Sequence, residues 1–147
     1  MNFEFKHFSE LLPEELYEIL RLRAEIFVVE QDCVYNDLDG LDVEAIHQFY
    51  RKNGEIIAYS RLLKPGTRFS ECSIGRVVVK KTERGKGTGI QMMKEAKHFI
   101  LNEWNAKTIQ ISAQKYLRKF YEDLDFRIVT NEYLEDGIPH YGMIFRI

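Results

Sequence analysis

The chain has 147 residues, 45% hydrophobic and 30% charged, with a formal net charge of −2. That length fits one domain, residues 1–147, able to bury a core without disulfide staples, and the composition excludes disordered, collagen-like and low-complexity classes. No apolar run approaches the roughly 18 residues of a membrane span, and residues 1–8 lack the apolar region of a signal peptide.

Residues 3–8 alternate enough for a short strand. Pro13 opens a helical pattern, and Glu14 and Glu15 suit the positive end of its dipole. Leu16, Leu20, Ala24 and Phe27 then form an apolar stripe expected to face the core. Residues 28–44 break the period; they are acidic, carry an Asp39-Gly40 turn signal and read as a long loop. Two β-rich runs flank Asn53-Gly54, a strong hairpin signal. Residues 71–79 make a third strand ending in Val77-Val78-Val79. After a glycine-rich stretch, Ile90, Met93, Ala96, Ile100 and Trp104 line one face of a helix over 88–104. Residues 108–112 alternate as a strand, Leu117, Phe120, Tyr121 and Leu124 mark a short helix, and two strands flank Asp136-Gly137. The order predicts an α/β fold of mixed α+β type, a mixed sheet with helices on its faces.

Charge is uneven. Residues 76–119 hold 11 basic and 3 acidic side chains, a local +8 against −10 elsewhere. One region suits an anionic ligand and the other a cationic one; uneven solvated surface is the plainer alternative. Cys33 and Cys72 form no CxxC pair, and no His/Cys/Asp cluster has metal-ligand spacing, so a cytoplasmic protein without a bound metal is expected.

Arg84-Gly85-Lys86-Gly87-Thr88-Gly89 lies between a strand and a helix start, where free amides and the helix dipole favour a phosphate. Arg84 and Lys86 can add charge-assisted bonds. The ATP-binding pattern GxxxxGK[ST] fails, because Lys80 stands at its first glycine and Gly87 follows Lys86. The dinucleotide pattern GxGxxG fails at Ile90. The spacing that fits is [R/Q]-x-x-G-x-G, carried by Arg84, Gly87 and Gly89.

Strand, R-x-x-G-x-G and long helix resemble the pyrophosphate loop of the GCN5-related N-acetyltransferases (GNAT family). Residues 113–121, AQKYLRKFY, are similar to that family's second cofactor segment. Narrower blocks resemble its ElaA-like subgroup: residues 22–31 (LRAEIFVVEQ), 37–42 (DLDGLD), 60–66, 74–77 and 135–140 (EDGIPH). One departure is Asp125 before Phe126, where the family usually has glycine; Asp tolerates left-handed geometry, so the turn is expected to survive.

The resemblance implies a central, mostly antiparallel sheet flanked by helices, acetyl-CoA as co-substrate, and a primary amine of a small molecule or peptide as acceptor. It implies a cofactor site at Val77, Val78, Val79, Arg84, Gly85, Lys86, Gly87, Thr88 and Gly89. Tyr121 is implied as the acid that protonates the leaving thiolate, the alternative being a packed core tyrosine. His140 is the candidate base, histidine being the side-chain type suited to proton exchange near neutrality, the alternative being a hydrogen-bonded turn histidine. Glu30 and Asp39 of the acidic loop are candidate contacts for a cationic acceptor. Lys115, Arg118 and Lys119 extend the basic region, and His47 reads as a strand residue without a special task. A homodimer is compatible with this chain. The main rival is a non-catalytic acyl-CoA-binding module. A nucleic-acid binder is argued against by the net charge and the lack of RNP, KH or helix-turn-helix signatures.

Overall fold

A computed structural model describes all residues, 1–147. Strand β1 (Phe3–His7) leads into helix α1 (Pro13–Arg23), which opens as expected with Pro at its start. The Glu15 carboxylate accepts from the Leu12 amide at 2.8 Å, closing the first turn. The helix does not stop there. Residues Ala24–Glu30 continue it as a π-helix, with Gln31 N donating to Ile26 O and Cys33 N to Val28 O, both at 3.1 Å. Wide turns of this kind occur frequently at functional sites. The apolar stripe read from sequence is displaced accordingly. The buried face is Glu15, Ile19, Leu22, Arg23 and Ile26, whereas Ala24 is exposed and Leu16 and Leu20 are half-buried.

Next come β2 (Ile46–Lys52), β3 (Glu55–Leu63) and β4 (Cys72–Val79), then α2 (Thr88–Glu103), β5 (Thr108–Gln114), α3 (Arg118–Glu122), β6 (Arg127–Ile128), β7 (Tyr133–Glu135) and β8 (Ile138–Arg146). They build one eight-stranded sheet in the order β1-β2-β3-β4-β5-β8-β6, with β7 also on β8. All pairings are antiparallel except β4 with β5. Both hairpins formed where their dipeptides predict. Asn53 and Gly54 have φ of 52° and 78°, and Asp136 and Gly137 have 51° and 76°, the two positive values a type I′ turn requires. Asp125 holds the left-handed turn at φ 69°, as expected of it.

Helices cover both faces. Ile19, Leu22 and Ile26 pack with Phe49, Ile56, Tyr59 and Val78 on one side. On the other, Met93, Ala96, Ile100, Tyr121 and Leu124 pack with Ile74, Ile109, Ile111 and Met143. β4 serves both faces through a bulge. Tyr59 opposes Val78 and Arg61 opposes Gly75, so Ser60 faces two residues, Arg76 and Val77. Arg76 takes φ 49° there. The inserted residue reverses the strand's alternation: Ile74 and Val77 lie on the α2 side, and Val78 turns to the α1 side.

Candidate functional site

The site begins where the sheet comes apart. β4 and β5 pair only at Cys72↔Ile109 and Ser73↔Gln110. Beyond Ser73 the two parallel strands separate, and the gap opens into a cavity of about 430 Å³. Its walls include Val77, Val78 and Val79 from β4, Ile26, Phe27 and Glu30 from the π-helix, and Phe120 and Tyr121 from α3.

The glycine-rich loop forms one end of this cavity. Gly85 and Gly87 have φ of 77° and 81°, and Gly87 is the residue on which α2 starts. No side chain caps that helix. The first-turn amides are left without an intrahelical partner, as an anion-binding helix start requires. A Cβ built on Gly85 or Gly87 meets nothing within 4 Å, so the space above both is open to an approaching anion. At Gly89 a Cβ would touch Phe120 at 3.5 Å and Val79 at 3.8 Å, and Thr88 is buried beside it. Arg84 and Lys86 are already engaged. Arg84 donates to Val79 O at 3.0 Å and pairs with Glu30 at 2.8 Å, tying the loop to the end of the π-helix. Lys86 pairs with Glu83 at 3.0 Å. Lys115, Arg118 and Lys119 pair with Glu132, Glu122 and Asp123.

Gly87→Val is expected to weaken CoA binding by at least about tenfold, because the new side chain occupies the approach to the amides. The left-handed backbone adds a strain of about 1–2 kcal/mol. Gly66→Val carries the same strain at φ 82° in the β3–β4 turn and should melt similarly while binding CoA normally. Calorimetry separates the two; equal affinity in both variants would remove the loop from the site.

A second cavity, about 90 Å³, adjoins the first. Phe27, Gln31, Val77, Gln114, Leu117 and Tyr121 line both. Gln31 and Gln114 exchange amide hydrogen bonds at 3.2 and 3.3 Å, bridging the π-helix to the free end of β5. Tyr121 is 6% exposed, and burial pushes its phenol above the ordinary range, with the nearby Tyr116 adding to the shift. Its hydroxyl has no hydrogen-bond partner in the protein and is not sealed from the cavities. A packed core tyrosine normally finds such a partner.

His140 lines the smaller cavity only. Its Nδ1 lies 2.6 Å from Ile138 O and its Nε2 3.5 Å from Glu135 Oε2. Glu135 was not singled out from the sequence as a site residue. The hairpin turn could have found it: two residues at Asp136-Gly137 put Tyr133 opposite His140, with Glu135 on the face of Tyr133.

Gln31, Cys33 and Tyr35 of the acidic loop line the smaller cavity, but its carboxylates do not. Glu30 lines the larger cavity beside Arg84, not the smaller one. Asp39 lines neither, because its carboxylate is held by Arg61 at 2.7 Å and Arg76 at 3.3 Å. Asp42 binds Arg23 at 2.7 Å and Arg61 at 3.1 Å, and Asp37 binds Arg23 at 2.9 Å and Arg76 at 2.8 Å. Burial alone would raise the Asp39 and Asp42 carboxyls, but the arginines outweigh it and hold both below the usual carboxylate range. His47 braces this network, its ring between Tyr59 Oη at 2.7 Å and Asp42 O at 2.8 Å, and burial lowers its proton affinity. The loop is a fastening for α1, β3 and β4.

The splayed parallel pair, the glycine loop at a helix start and the tyrosine lining both cavities are the arrangement that the resemblance to acyl-CoA-dependent acyltransferases leads one to expect. The chain belongs to the GNAT acetyltransferase family, whose domain profile matches residues 15–147. Within it the chain is ElaA-like. ElaA of Escherichia coli (strain K12) is 42% identical over 139 residues, spanning 93% of this chain and 91% of ElaA. The crystal structure of E. coli ElaA matches at a TM-score of 0.92 and 39% identity, over 99% of both chains. The crystal structure of an acyl-CoA N-acyltransferase from Pseudomonas aeruginosa matches with the same score, identity and coverage. A UPF0039 protein of Synechocystis sp. is 41% identical over 148 residues, 100% of this chain and 96% of its own.

Proposed function

We propose that the protein is an acetyl-CoA-dependent N-acetyltransferase acting on a primary amine of a small molecule or peptide in the cytoplasm. The observation that carries this reading is the unpartnered hydroxyl of Tyr121 at the junction of the two cavities. The larger cavity takes the CoA portion. The amides around Gly87, Thr88 and Gly89 hold its pyrophosphate, and the open edge of Val77, Val78 and Val79 holds its pantetheine arm. Acetyl-CoA supplies the activated thioester. The amine enters from the smaller cavity, where His140 takes its proton. The nitrogen lone pair then forms the bond to the acyl carbon, the C–S bond breaks, Tyr121 gives its proton to the departing sulfur, and the second proton shed by the nitrogen as it becomes an amide returns to the Tyr121 oxygen. Burial raises the affinity of a thiolate for a proton as it raises that of the phenol, a shift already present at the buried Cys72.

Incubation with acetyl-CoA and a panel of primary amines, followed by thiol release and mass spectrometry, tests the reading. Amine-dependent CoA release with a mass gain of one acetyl group is expected. Tight CoA binding with no transfer to any amine would instead identify an acyl-CoA-binding module.

A further inference from the structure

Two hydrogen-bond acceptors face each other in the wall of the smaller cavity. Ile138 O, 2.6 Å from His140 Nδ1, can only accept. Nδ1 therefore carries the hydrogen of the neutral imidazole, and the basic lone pair sits on Nε2. That atom is 3.5 Å from Glu135 Oε2. The other carboxylate oxygen, Oε1, is taken: Arg68 donates to it at 2.5 Å and Ser112 Oγ at 3.1 Å. The Tyr133 hydroxyl lies 2.5 Å from Ser112 Oγ. With the serine hydrogen committed to Glu135, Tyr133 is the donor in that contact. The chain Tyr133, Ser112, Glu135 fixes the carboxylate and leaves Oε2 free toward Nε2. With the imidazole neutral, Nε2 and Oε2 are two acceptors that one external donor group can bridge.

We propose that Glu135 Oε2 and His140 Nε2 together receive the acceptor as a primary ammonium, with Glu135 holding the charge and His140 taking the proton. Among common acceptor groups an alkylammonium offers several N–H donors from one atom, so it can serve both partners at once. A volume of about 90 Å³ admits the amine-bearing end of a small molecule or side chain. On proton transfer one N–H bond of the ammonium breaks and one forms at Nε2. The imidazolium stays beside Oε2, and the freed lone pair is available for the acyl carbon. The other ionisable groups on this cavity are Arg68, Arg76, Asp136, Tyr35, Cys33 and Tyr121. Arg76 is committed to Asp37 and Asp39, and Tyr35 to Asp37. The inference rests on the acetyltransferase reading for the direction of proton transfer, but the ammonium site stands on its own geometry.

The experiment pairs kinetics with NMR on the full chain. Glu135→Gln should raise the KM for a cationic amine by roughly tenfold or more, the loss of one charged hydrogen bond, and leave the KM for acetyl-CoA within about twofold. The imidazole resonances of His140 should move on titration of the wild type with n-propylamine at neutral pH, and stay still in Glu135→Gln. An unchanged amine KM in a variant that melts like the wild type overturns the proposal. Should the variant not fold, the wild-type titration decides: unmoved resonances overturn it. Resonances that move without acetyl transfer to any amine keep the ammonium site and overturn the acetyltransferase reading instead.

Discussion

Tyr121→Phe is expected to lower kcat by roughly 10²–10⁴ with the melting temperature nearly unchanged. The substitution keeps the ring, which packs edge-on against Phe120 and Phe126 at centroid distances of 5.0 and 6.0 Å. It removes a hydroxyl that bonds to nothing in the protein. A structural hydroxyl would behave in the opposite way, its loss costing about 1 kcal/mol of stability while turnover held. Burial keeps the phenol protonated throughout the neutral range, so it enters each cycle as a donor rather than a base. Normal turnover in a folded Tyr121→Phe protein would dismiss the acid role.

Asp42→Ala should produce the largest loss of stability, about 3 kcal/mol, because removing one member of a buried ion-pair network leaves buried charge under-compensated. Here two arginines each lose one of two carboxylate partners, Arg23 keeping Asp37 and Arg61 keeping Asp39. Arg23 and Arg61 are both fully buried, and each bonds Asp42. For a chain of this length that is a fall in Tm on the order of 10 °C. Asp39→Asn should cost less, since that carboxylate is 28% exposed. The same network sets the response to acid. The folded-state carboxyls of Asp39 and Asp42 lie below their unfolded values. Their contribution is therefore complete above roughly pH 4, the unfolded carboxylate range, and is lost as the pH falls through the lower folded values. Equilibrium denaturation between about pH 2 and pH 5 should show wild-type stability falling with acid and the Asp42→Ala protein falling less. Parallel curves would mean the network does not couple to protons.

The elements that local chemistry dictates were legible in the sequence. Asn53-Gly54 and Asp136-Gly137 demand positive φ at two successive residues, and the loop glycines mark a helix start, so hairpins and α2 fell where expected. What depends on distant partners was not legible. The spacing of Leu16, Leu20 and Ala24 pointed to the wrong side of α1, because the buried face carries Glu15 and Arg23, whose partners are Lys6 and Arg51, and Asp37 and Asp42. Nothing in 28–44 reveals that its carboxylates answer arginines on α1, β3 and β4. Asp37, Asp39 and Asp42 are engaged by those arginines inside the fold. Glu135, which lines the smaller cavity, is visible only once the hairpin register is used.

A sheet seamed at Cys72–Ser73 and Ile109–Gln110 and open beyond has the mechanics of a hinged pair of leaves. One leaf is β1 to β4, the other β5 to β8, and each is tied internally by antiparallel ladders. Around the cavity the leaves also meet through the Gln31–Gln114 amide pair, Cys33 Sγ on Asp136 O, and Arg68 on Glu135. A molecule lodged in the gap would touch residues of both leaves. Its concentration then sets the resistance of the whole molecule to unfolding, about 2.7 kcal/mol at a hundred times its dissociation constant. Depletion of that molecule would leave the open side to the protein's own few bridges, among them Gln31 with Gln114 and Arg68 with Glu135.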